Sequence, residues 1–361
     1  MTAPKSPDVR ALTVRPHVPG SATLERIDPP DPRPGDLLVE PLLVGVCGTD
    51  REIVDGTYGA APEGRDRLVI GHEAIARVVQ APAGAPARVG DLVVPIVRRP
   101  DPVPCAACAV GEWDMCENDE YTEHGIRGAD GYACDRAVLD PAFAVPVPPD
   151  LGERAVLVEP ASVVAKAWEH IERIGNRASW NPGVVLVTGA GPIGLIAALM
   201  ARQRGYETHV LDRVTDGPKP NLVAQLGASY HPGTVDELPP PDIVLECTGV
   251  GSLVLDGIEH SGRNGIVCLT GLSSGARRIE INASALNRRM VLENDVVFGT
   301  VNANGRHYNA AVDTLTAAPG AWLDRLITRR EPLERWHEAL HARPDDVKVV
   351  IAPGGADHLR D

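Results

Sequence analysis

Apolar residues follow two different patterns along the chain, and the first occupies the first third. Between residues 10 and 100, short apolar runs such as DLLVEPLLVGV, DRLVIGHEAIARVVQA and RVGDLVVPIVR are separated by Gly, Pro and Asp. Runs of this length, spaced roughly 10–20 residues apart and bounded by turn residues, are typical of antiparallel strands. This part of the chain therefore predicts a small antiparallel barrel or sandwich.

The second pattern begins at about residue 182, where continuous apolar runs alternate with helical segments such as PIGLIAALMARQRG. The runs are VVLVT (184–188), THVLD (208–212), DIVLE (242–246), GIVCLTG (265–271) and VVFGTV (296–301). Strands that are apolar on both faces and separated by helices indicate a parallel sheet covered by helices on each side.

Between and after these regions lie a segment rich in Cys, Gly, Asp and Glu (101–135), an amphipathic helix (161–174) and a final helix and strand (333–342 and 347–353). We expect the final elements to pack against the first domain. The fold class is thus α/β with two domains. The predicted boundaries are 1–180, completed by 303–361, for the first domain, and 181–302 for the second domain.

Charge and composition narrow the possible functions. The 361 residues include 35 basic and 49 acidic residues, which gives a net charge of −14. Such a surface repels phosphate backbones and anionic membranes, so we expect neither nucleic acid nor membrane as a partner. No apolar run reaches the length of a membrane span, and the first ten residues have no secretory apolar segment. A cytoplasmic location is the resulting expectation.

The segment VVLVTGAGPIGLIAALMARQRG carries the most specific motif. Gly189, Gly191 and Gly194 form G-x-G-x-x-G directly after a strand and at the opening of a helix, with Pro192 and Ile193 between the last two. The three glycines permit a tight turn, close approach of the pyrophosphate, and packing of the helix on the strand. The helix N-terminus attracts phosphate. This combination predicts a Rossmann dinucleotide site.

The coenzyme choice depends on the end of the second strand. Asp212 lies 18 residues after Gly194 and would accept hydrogen bonds from the adenosine ribose, which favours NAD. Arg213 follows and could bind a 2′-phosphate, but the adjacent carboxylate would repel that group. We therefore expect NAD rather than NADP. Further coenzyme contacts are expected from Thr248, Thr270, Gly271 and Leu272.

Potential metal ligands are spread over the first domain. Cys47 lies in VGVCGTD, His72 and Glu73 lie in VIGHEA, and Glu159 lies in LVEPAS. Thiolate, imidazole and carboxylate together form the mixed ligand set of a catalytic zinc that keeps one position open. Zinc beside a nicotinamide implies polarisation of an alcohol or carbonyl oxygen.

A second group of cysteines occurs in PCAACAVGEWDMC. Cys105, Cys108 and Cys116 have the spacing of structural zinc ligands, although such a site takes four. Asp101 is a candidate for the fourth ligand; alternatively the loop folds without metal. The other cysteines, Cys134, Cys247 and Cys268, lie in or near apolar runs and are interpreted as core residues.

In combination, CGTD, GHE, the Cys-rich lobe, EP before a helix and TGAGPIG resemble the zinc-dependent medium-chain dehydrogenase/reductase superfamily. The stretches GIRGADGYACDRAV, VFGTVNANGRHYNAAVDTL and ITRR are most similar to its glucose (aldose) 1-dehydrogenase branch. The resemblance covers nearly the whole chain. It implies a GroES-like β-barrel catalytic domain beside the Rossmann domain, and a homodimer or homotetramer.

The resemblance also implies roles for individual residues. Cys47, His72 and Glu159 would bind the catalytic zinc, and Glu73 would be a fourth or exchangeable ligand. Thr49 would relay the substrate proton, so Thr49 and Glu73 are the catalytic candidates. The substrate-binding candidates are Thr49, Glu123, Glu159, Asn302 and His307, and Asn302 would also lie near the nicotinamide.

Two positions depart from the family pattern. Pro102 stands where the first structural cysteine is usual, which leaves the second zinc open. Val163 stands where archaeal glucose enzymes often have an acidic residue, which leaves glucose itself open.

We expect zinc-assisted hydride transfer between NAD(P) and a sugar, with an aldose oxidised at C1 to its lactone. The alternatives are the same chemistry on a polyol, cyclitol, aminocyclitol or other secondary alcohol, a metal-free enone reductase, and a non-catalytic dinucleotide-binding protein.

Overall fold

The computed structural model describes residues 8–235, 238–273 and 278–354. The chain forms two units: one runs up to Glu159 and resumes at Asn302, and the other is Pro160–Val301. The helix that starts at Val158 therefore lies almost entirely in the second unit. The sequence analysis had placed it in the first domain.

The strands, in chain order, are β1 (Val9–Val14), β2 (Thr23–Ile27), β3 (Leu37–Val46), β4 (Leu68–Val69), β5 (Glu73–Gln80), β6 (Leu92–Pro95), β7 (Arg98–Arg99), β8 (Thr122–His124), β9 (Gly128–Ala129), β10 (Ala137–Leu139), β11 (Ala144–Pro146), β12 (Val184–Thr188), β13 (Glu207–Leu211), β14 (Ser229–His231), β15 (Ile243–Glu246), β16 (Ile266–Leu269), β17 (Val296–Gly299), β18 (Ile327–Pro332) and β19 (Lys348–Ala352).

The α-helices are α1 (Gly48–Val54), α2 (Ala106–Ala109), α3 (Val158–Gly175), α4 (Pro192–Gln203), α5 (Pro218–Gln225), α6 (Gly251–His260), α7 (Ala283–Glu293), α8 (Gly305–Thr316), α9 (Gly320–Leu326) and α10 (Trp336–Leu340). Short 3-10 helices cover Trp113–Met115, Pro141–Phe143, Pro149–Leu157, which is interrupted by a kink at Gly152, and Leu333–Arg335.

The first unit is built on a largely antiparallel sheet with the order β11-β6-β5-β3-β19-β18, in which β10 also pairs with β3. Smaller sheets, β2-β1-β4 and β7-β8-β9, complete it. Strand β3 alternates buried and half-buried positions before it becomes fully buried toward Val46. The antiparallel architecture predicted for this region is confirmed, and β19 joins it from the far end of the chain beside β3.

The second unit contains a parallel sheet in the order β14-β13-β12-β15-β16-β17. This is the strand order of a dinucleotide-binding Rossmann fold, 3-2-1-4-5-6. Strands β12 and β15 are buried along nearly their whole length. The α/β fold class with a parallel-sheet domain is therefore confirmed.

One predicted element differs in extent. The helix expected over 333–342 is limited to α10, preceded by the 3-10 turn Leu333–Arg335. Pro344 disfavours helical backbone in Arg343 and so limits how far the helix can extend. Among the described residues, no helix combines the length and apolar character needed to cross a bilayer.

Candidate active site

Cys47 and His72 meet at one end of the central strands of the first unit. Cys47 follows β3 and His72 precedes β5, and these strands pair with each other. The Cys47 Sγ atom lies 3.2 Å from His72 Nε2. Together with a carboxylate oxygen of Asp50, these atoms lie within 4.8 Å of one another. The pairing of two strand ends thus brings a thiol and an imidazole together from positions far apart in the sequence.

Asp50 holds both residues in place. Its Oδ2 atom accepts the backbone N–H of Cys47 at 2.9 Å, and its Oδ1 atom lies 3.4 Å from His72 Nδ1. Asp50 is the third residue of α1, for which Cys47 is the N-cap. The sequence analysis missed Asp50, although an acidic residue in the first turn of a helix that starts at a candidate metal ligand is a signal that the sequence contains.

Burial and close charged neighbours shift the pKa values of Cys47 and His72. Burial raises the pKa of the Cys47 thiol. Burial opposes a charge on His72, but the neighbouring Cys47 and Asp50 outweigh it and raise the His72 pKa well above its ordinary value. A soft sulfur and an imidazole nitrogen converge here, and the second imidazole nitrogen faces a carboxylate. This donor arrangement fits zinc.

Glu73 is engaged by a lysine from the last strand. Strand β3 lies between β5 and β19, so Glu73 and Lys348 approach each other across Gly45. The Glu73 Oε2 atom forms a buried ion pair with Lys348 Nζ. A Cβ atom on Gly45 would lie 2.1 Å from that oxygen, so the crossing requires glycine.

Glu159 lies at the start of α3 and is coupled electrostatically to the cluster. Its pKa is raised to about 7, first by burial and then by the negative charge of Glu73. Both Glu73 and Glu159 lie outside the tight group formed by Cys47, Asp50 and His72.

Thr49 is the second residue of α1 and is half-buried. Its hydroxyl makes no hydrogen bond with any described residue. It is therefore available for a hydrogen bond with a substrate hydroxyl beside Cys47.

A second polar cluster surrounds Glu123 on β8. The Glu123 Oε1 atom accepts hydrogen bonds from Arg98 Nε (3.1 Å), Arg98 Nη2 (3.0 Å) and Asn302 Nδ2 (2.6 Å). Arg98 also stacks on the ring of Tyr121, 3.7 Å from its centre. One carboxylate oxygen is therefore saturated, while no described residue donates to the other. The sequence analysis named Glu123 and Asn302 separately as substrate-binding candidates and missed Arg98; contact of these residues with substrate stays a prediction.

His307 occupies a different environment from the one expected. It is buried, and its Nδ1 atom accepts the backbone N–H of Asn304 at 3.2 Å in the capping box of α8. Asn304 in turn donates to Asp114 Oδ1 at 2.6 Å. These contacts give His307 a role in fixing the start of α8; its contact with substrate stays a prediction.

The three-cysteine lobe is assembled as the spacing predicted. The sulfur atoms of Cys105, Cys108 and Cys116 lie within 4.8 Å of one another. Asp101 is not part of that group: its two carboxylate oxygens accept hydrogen bonds from the Val103 N–H and the Asn118 side chain, each at 2.7 Å. The lobe thus offers three sulfur ligands.

The remaining cysteines behave mostly as core residues. Cys134 and Cys268 are buried, as expected. Cys247 is only partly buried and lines the pocket described next.

A pocket of about 420 Å³ opens at the carboxyl ends of the parallel strands in the second unit. From the predicted coenzyme residues it includes Gly189, Gly191, Asp212, Arg213 and Thr248. Pro192, Ile193, Gly194, Thr270, Gly271 and Leu272 are not among its lining residues, and Asn302 belongs to the first unit.

The three glycines of the motif are in the conformations that the motif requires. Gly189 has a φ of +91°, and a Cβ atom on Gly194 would lie 1.8 Å from the Gly189 carbonyl oxygen. A Cβ atom on Gly191 would meet no atom within 4 Å, so the space over this residue is open. Gly194 therefore allows α4 to pack on the turn, and Gly191 exposes backbone to a ligand.

Asp212 is already paired. Its Oδ2 atom accepts hydrogen bonds from the Ala190 N–H at 2.7 Å and from Lys219 Nζ at 3.2 Å, and its Oδ1 atom accepts one from the Val214 N–H at 3.0 Å. Arg213 is exposed. Lys219 lines the same pocket and was missed by the sequence analysis.

Glu246, at the end of β15, organises the opposite wall of the pocket. It is fully buried and accepts hydrogen bonds from the Thr248 N–H at 2.8 Å and from the Thr188 hydroxyl at 3.2 Å. The Thr270 hydroxyl donates to the Glu246 carbonyl at 2.8 Å. Glu246 therefore holds Thr248, which lines the pocket. Thr270 contacts Glu246 without lining the pocket, and Leu272 is largely exposed.

Comparisons with known proteins agree with this geometry. Residues 33–149 match the family model of the alcohol dehydrogenase GroES-like domain, and residues 152–352 match that of the glucose dehydrogenase C-terminus. A glucose 1-dehydrogenase of Thermoproteus tenax is 42% identical over 350 residues, which cover 95% of this chain and 99% of the relative. One from Methanocella arvoryzae is 39% identical over 360 residues, covering 96% and 100%.

A solved structure is also similar. The glucose dehydrogenase of Haloferax mediterranei in complex with NADP, Zn and gluconolactone has a TM-score of 0.87 and 32% identity, and covers 95% of this chain and 99% of its own.

The chain belongs to the zinc-dependent medium-chain dehydrogenase/reductase superfamily, as the motifs indicated. Its enzyme class is that of a zinc-dependent, NAD(P)-dependent sugar or alcohol dehydrogenase. Within the superfamily it lies in the glucose dehydrogenase branch.

Proposed function

We propose that this enzyme oxidises the C1 hydroxyl of an aldose such as glucose to the lactone, with transfer of a hydride to NAD(P). The observation that carries the proposal is the convergence of Cys47 Sγ and His72 Nε2 at 3.2 Å, with His72 held by Asp50. The Haloferax relative, bound to zinc, NADP and a sugar lactone, supports the same substrate class.

The candidate site residues of the first unit have separate roles in this proposal. Cys47, His72 and Glu159 hold the metal, and Asp50 fixes the ring of His72. When bound, zinc supplies a Lewis acid that lowers the pKa of a substrate hydroxyl, and the dinucleotide supplies the hydride acceptor. The Thr49 hydroxyl accepts the substrate proton and passes it toward solvent. Glu73 would be the exchangeable ligand, and its carboxylate is paired with Lys348 in this structure.

Sugar recognition is assigned to Glu123 and Asn302. Glu123 Oε1 is occupied by Arg98 and Asn302, so Oε2 is the oxygen that accepts a substrate hydroxyl. A carboxylate of this kind suits a polyhydroxylated substrate, because each hydroxyl brings a donor that needs an acceptor on leaving water.

A polyol or cyclitol is the second candidate substrate. Val163 is apolar at the position where, by the family resemblance, archaeal glucose enzymes often have an acidic residue, so we expect one hydroxyl contact of glucose to be lacking. Loss of such a contact favours a substrate with a different arrangement of hydroxyls.

For the coenzyme we infer that NADP is accepted. The repulsion that favoured NAD in the sequence analysis is weakened because Asp212 is paired with Lys219 and with two backbone N–H groups. Arg213 is exposed beside it and can bind a 2′-phosphate.

We also infer a homodimer or homotetramer. Strand β17 is the edge of the parallel sheet, and Val291 and Leu292 on the preceding α7 are 67% and 63% exposed. An exposed apolar sheet edge of this kind is usually covered, and a second subunit would cover it here. A monomer in sedimentation velocity experiments would contradict this assembly. The cytoplasmic location stays a prediction.

The test of function is a set of initial rates with aldoses, polyols and cyclitols, each with NAD and NADP, before and after chelation and zinc restoration. We expect zinc-dependent oxidation of an aldose to its lactone. The variants His72→Ala and Glu159→Ala should lose zinc and turnover but retain dinucleotide binding, while Cys134→Ala should retain both. Full activity in either ligand variant would contradict the assignment, and turnover of polyols or cyclitols alone would favour the second candidate.

A further inference from the structure

We propose that a cavity in the first unit is a second ligand site, which binds a small polyhydroxylated monocarboxylate through Arg99. Sugar acids belong to this class. The lactone expected from the proposed reaction yields one when water adds to its carbonyl carbon, the ring C–O bond breaks and the resulting acid releases a proton. The choice of ligand therefore rests on the proposed function, whereas the site itself does not.

The cavity has a volume of about 610 Å³, and all of its lining residues belong to the first unit. This volume lies within the usual range for sites that bind small molecules. The segment after β2, the end of β8 and the chain around β10 form its walls. Cys47, Asp50, His72 and Glu73 are not among the lining residues, so the cavity is distinct from the candidate active site.

Strands β7 and β8 present opposite faces to the two sites. Arg98 pairs in register with Glu123, and their side chains form a buried ion pair. Successive side chains of a strand point to opposite faces, so the next residues, Arg99 and His124, face the other way. Both of these residues line the cavity. The strand pair that holds the sugar-binding candidates on one face therefore supplies an arginine and a histidine to the cavity on the other.

Arg99 brings a positive charge that no described carboxylate neutralises. Its guanidinium donates to the Ile96 carbonyl and stacks on the ring of Phe143, 4.1 Å from its centre. Unlike Arg98, it forms no ion pair with any described residue. Burial lowers the pKa of Arg99, and its polar neighbours offset this only in part. Because arginine stays charged in proteins, a partly buried guanidinium of this kind gains from a carboxylate ligand.

The net charge of the cavity lining favours a ligand with a single negative charge. Four arginines and five aspartates line the cavity, so the acidic residues exceed the basic ones by one. Such a lining repels an oligophosphate or another polyanion. A monocarboxylate can pair with Arg99 without adding further negative charge near the aspartates.

The other polar groups of the cavity suit hydroxyl donors. His124 donates from Nδ1 to the Asp130 carbonyl, which leaves its Nε2 atom as an acceptor. No described residue donates to the carboxylates of Asp28 and Asp31, which also line the cavity. Hydroxyls that leave water need acceptors of this kind, so the lining matches a ligand that carries several hydroxyls beside its carboxylate.

The test is isothermal titration calorimetry of the zinc-loaded enzyme with D-gluconate, at constant ionic strength because salt screens the charge of Arg99. Acetate has the carboxylate without the hydroxyls, and glucose has the hydroxyls without the carboxylate. We expect gluconate to bind about tenfold more tightly than acetate, as for one or two added hydrogen bonds. Binding of glucose should not depend on Arg99.

Two variants alter the cavity in different ways. Arg99→Met removes the charge but keeps an unbranched chain over Phe143, and we expect it to weaken gluconate binding by about ten- to hundredfold. It leaves no ion-pair partner behind, so the variant should fold. Val138→Trp enlarges a side chain that lines the cavity on β10, without a change of charge, and should also weaken gluconate binding.

Two further variants serve as controls. Arg88→Met removes a positive charge from the first unit at an exposed residue outside the cavity, and it should leave gluconate binding unchanged. Gluconate bound in the candidate active site would depend on Glu123. We therefore expect the binding that depends on Arg99 to persist in Glu123→Gln.

Absence of gluconate binding, equal affinity for acetate, or equal gluconate affinity in the wild type and both cavity variants would overturn the proposal. Loss of binding in Glu123→Gln alone would also overturn it, because gluconate would then occupy only the candidate active site. If gluconate binds through Arg99 but the wild-type enzyme oxidises no sugar, the proposed function fails and this site stands.

Discussion

Lys348 and Glu73 form a buried ion pair that joins the last strand of the chain to the residue after His72. The lysine is fully enclosed, and its pKa is raised because Glu73 and Cys47 outweigh the opposing effect of burial. The pair places a fixed positive charge beside Glu73 and Glu159, which would otherwise repel each other. The C-terminal strand is therefore part of the site's charge balance as well as of the sheet.

We expect Lys348→Met to destabilise the fold by about 3–5 kcal/mol, because it leaves Glu73 buried without a partner. The free energy of unfolding, measured with urea on the zinc-loaded enzyme, checks this. In Glu73→Gln/Lys348→Met no charge is left unpaired, so most of the stability should return. A double variant as unstable as the single one would contradict the explanation by charge.

We predict that the three-cysteine lobe binds a second zinc. Cys105, Cys108 and Cys116 converge, and hydrogen bonds from the backbone, chiefly from Cys108, lower the pKa of Cys105 to about 7. We expect Cys108→Ser to lose one equivalent of bound zinc in elemental analysis while sugar oxidation continues. The matched variant Cys134→Ser should lose none.

Asp101 can be tested in the same measurement. Both of its carboxylate oxygens are occupied by neutral donors, so we expect Asp101→Asn to retain the zinc. Loss of the metal in this variant would instead make Asp101 the fourth ligand.

The fold was largely predictable because its strands are apolar and its motifs are local. VVLVT, DIVLE and GIVCLTG correspond to β12, β15 and β16, and the glycine motif lies between β12 and α4 as predicted. Strand β14 was missed because SYH is short and only partly buried. A three-residue strand of this kind has no hydrophobic pattern to distinguish it from a loop.

The site was predictable where a residue type is chemically unusual, and not where it is a common charged residue. Cys47 and His72 were identified from their motifs. Arg98, Lys219 and Lys348 were missed, because in a sequence an isolated basic residue is indistinguishable from a solvated surface charge. Only the sheet brings Lys348 to Glu73, which lies 275 positions earlier in the chain.

Arg98 is expected to act by positioning Glu123. Arg98→Met removes both hydrogen bonds to Glu123 Oε1 and frees that carboxylate to turn. Loss of a charged hydrogen bond predicts a rise in the sugar KM of about ten- to hundredfold with a smaller change in kcat. Arg98→Lys should recover part of the loss, since it keeps the charge but not the two-pronged geometry.

The coenzyme dissociation constants serve as the control for Arg98, because the pocket lies in the other unit. If KM and kcat change together, and the coenzyme constants change too, Arg98 supports the fold in general and does not position Glu123.

The environment of His124 leads us to expect that the free energy of unfolding depends on pH. Its Nδ1 atom donates to the Asp130 carbonyl at 2.7 Å, and burial, with a smaller effect of Arg99, lowers its pKa from 6.5 to about 3. The unfolded chain therefore binds a proton that the folded protein does not. The contribution of His124 is complete above pH 6.5 and is lost progressively as the pH falls toward 3.

When the pH falls from 7 to 5, His124 becomes protonated in the unfolded chain but not in the folded protein. We expect this difference to lower the free energy of unfolding by about 1–2 kcal/mol, allowing for the partial exposure of His124. The measurement is urea unfolding at both pH values for the wild type and for His124→Asn, whose side-chain amide can still donate to Asp130. The variant should lose less stability than the wild type over this range. The matched control is the same substitution at the exposed His337 on α10. Identical pH profiles for the wild type and His124→Asn would mean that His124 is protonated equally in the folded and unfolded states.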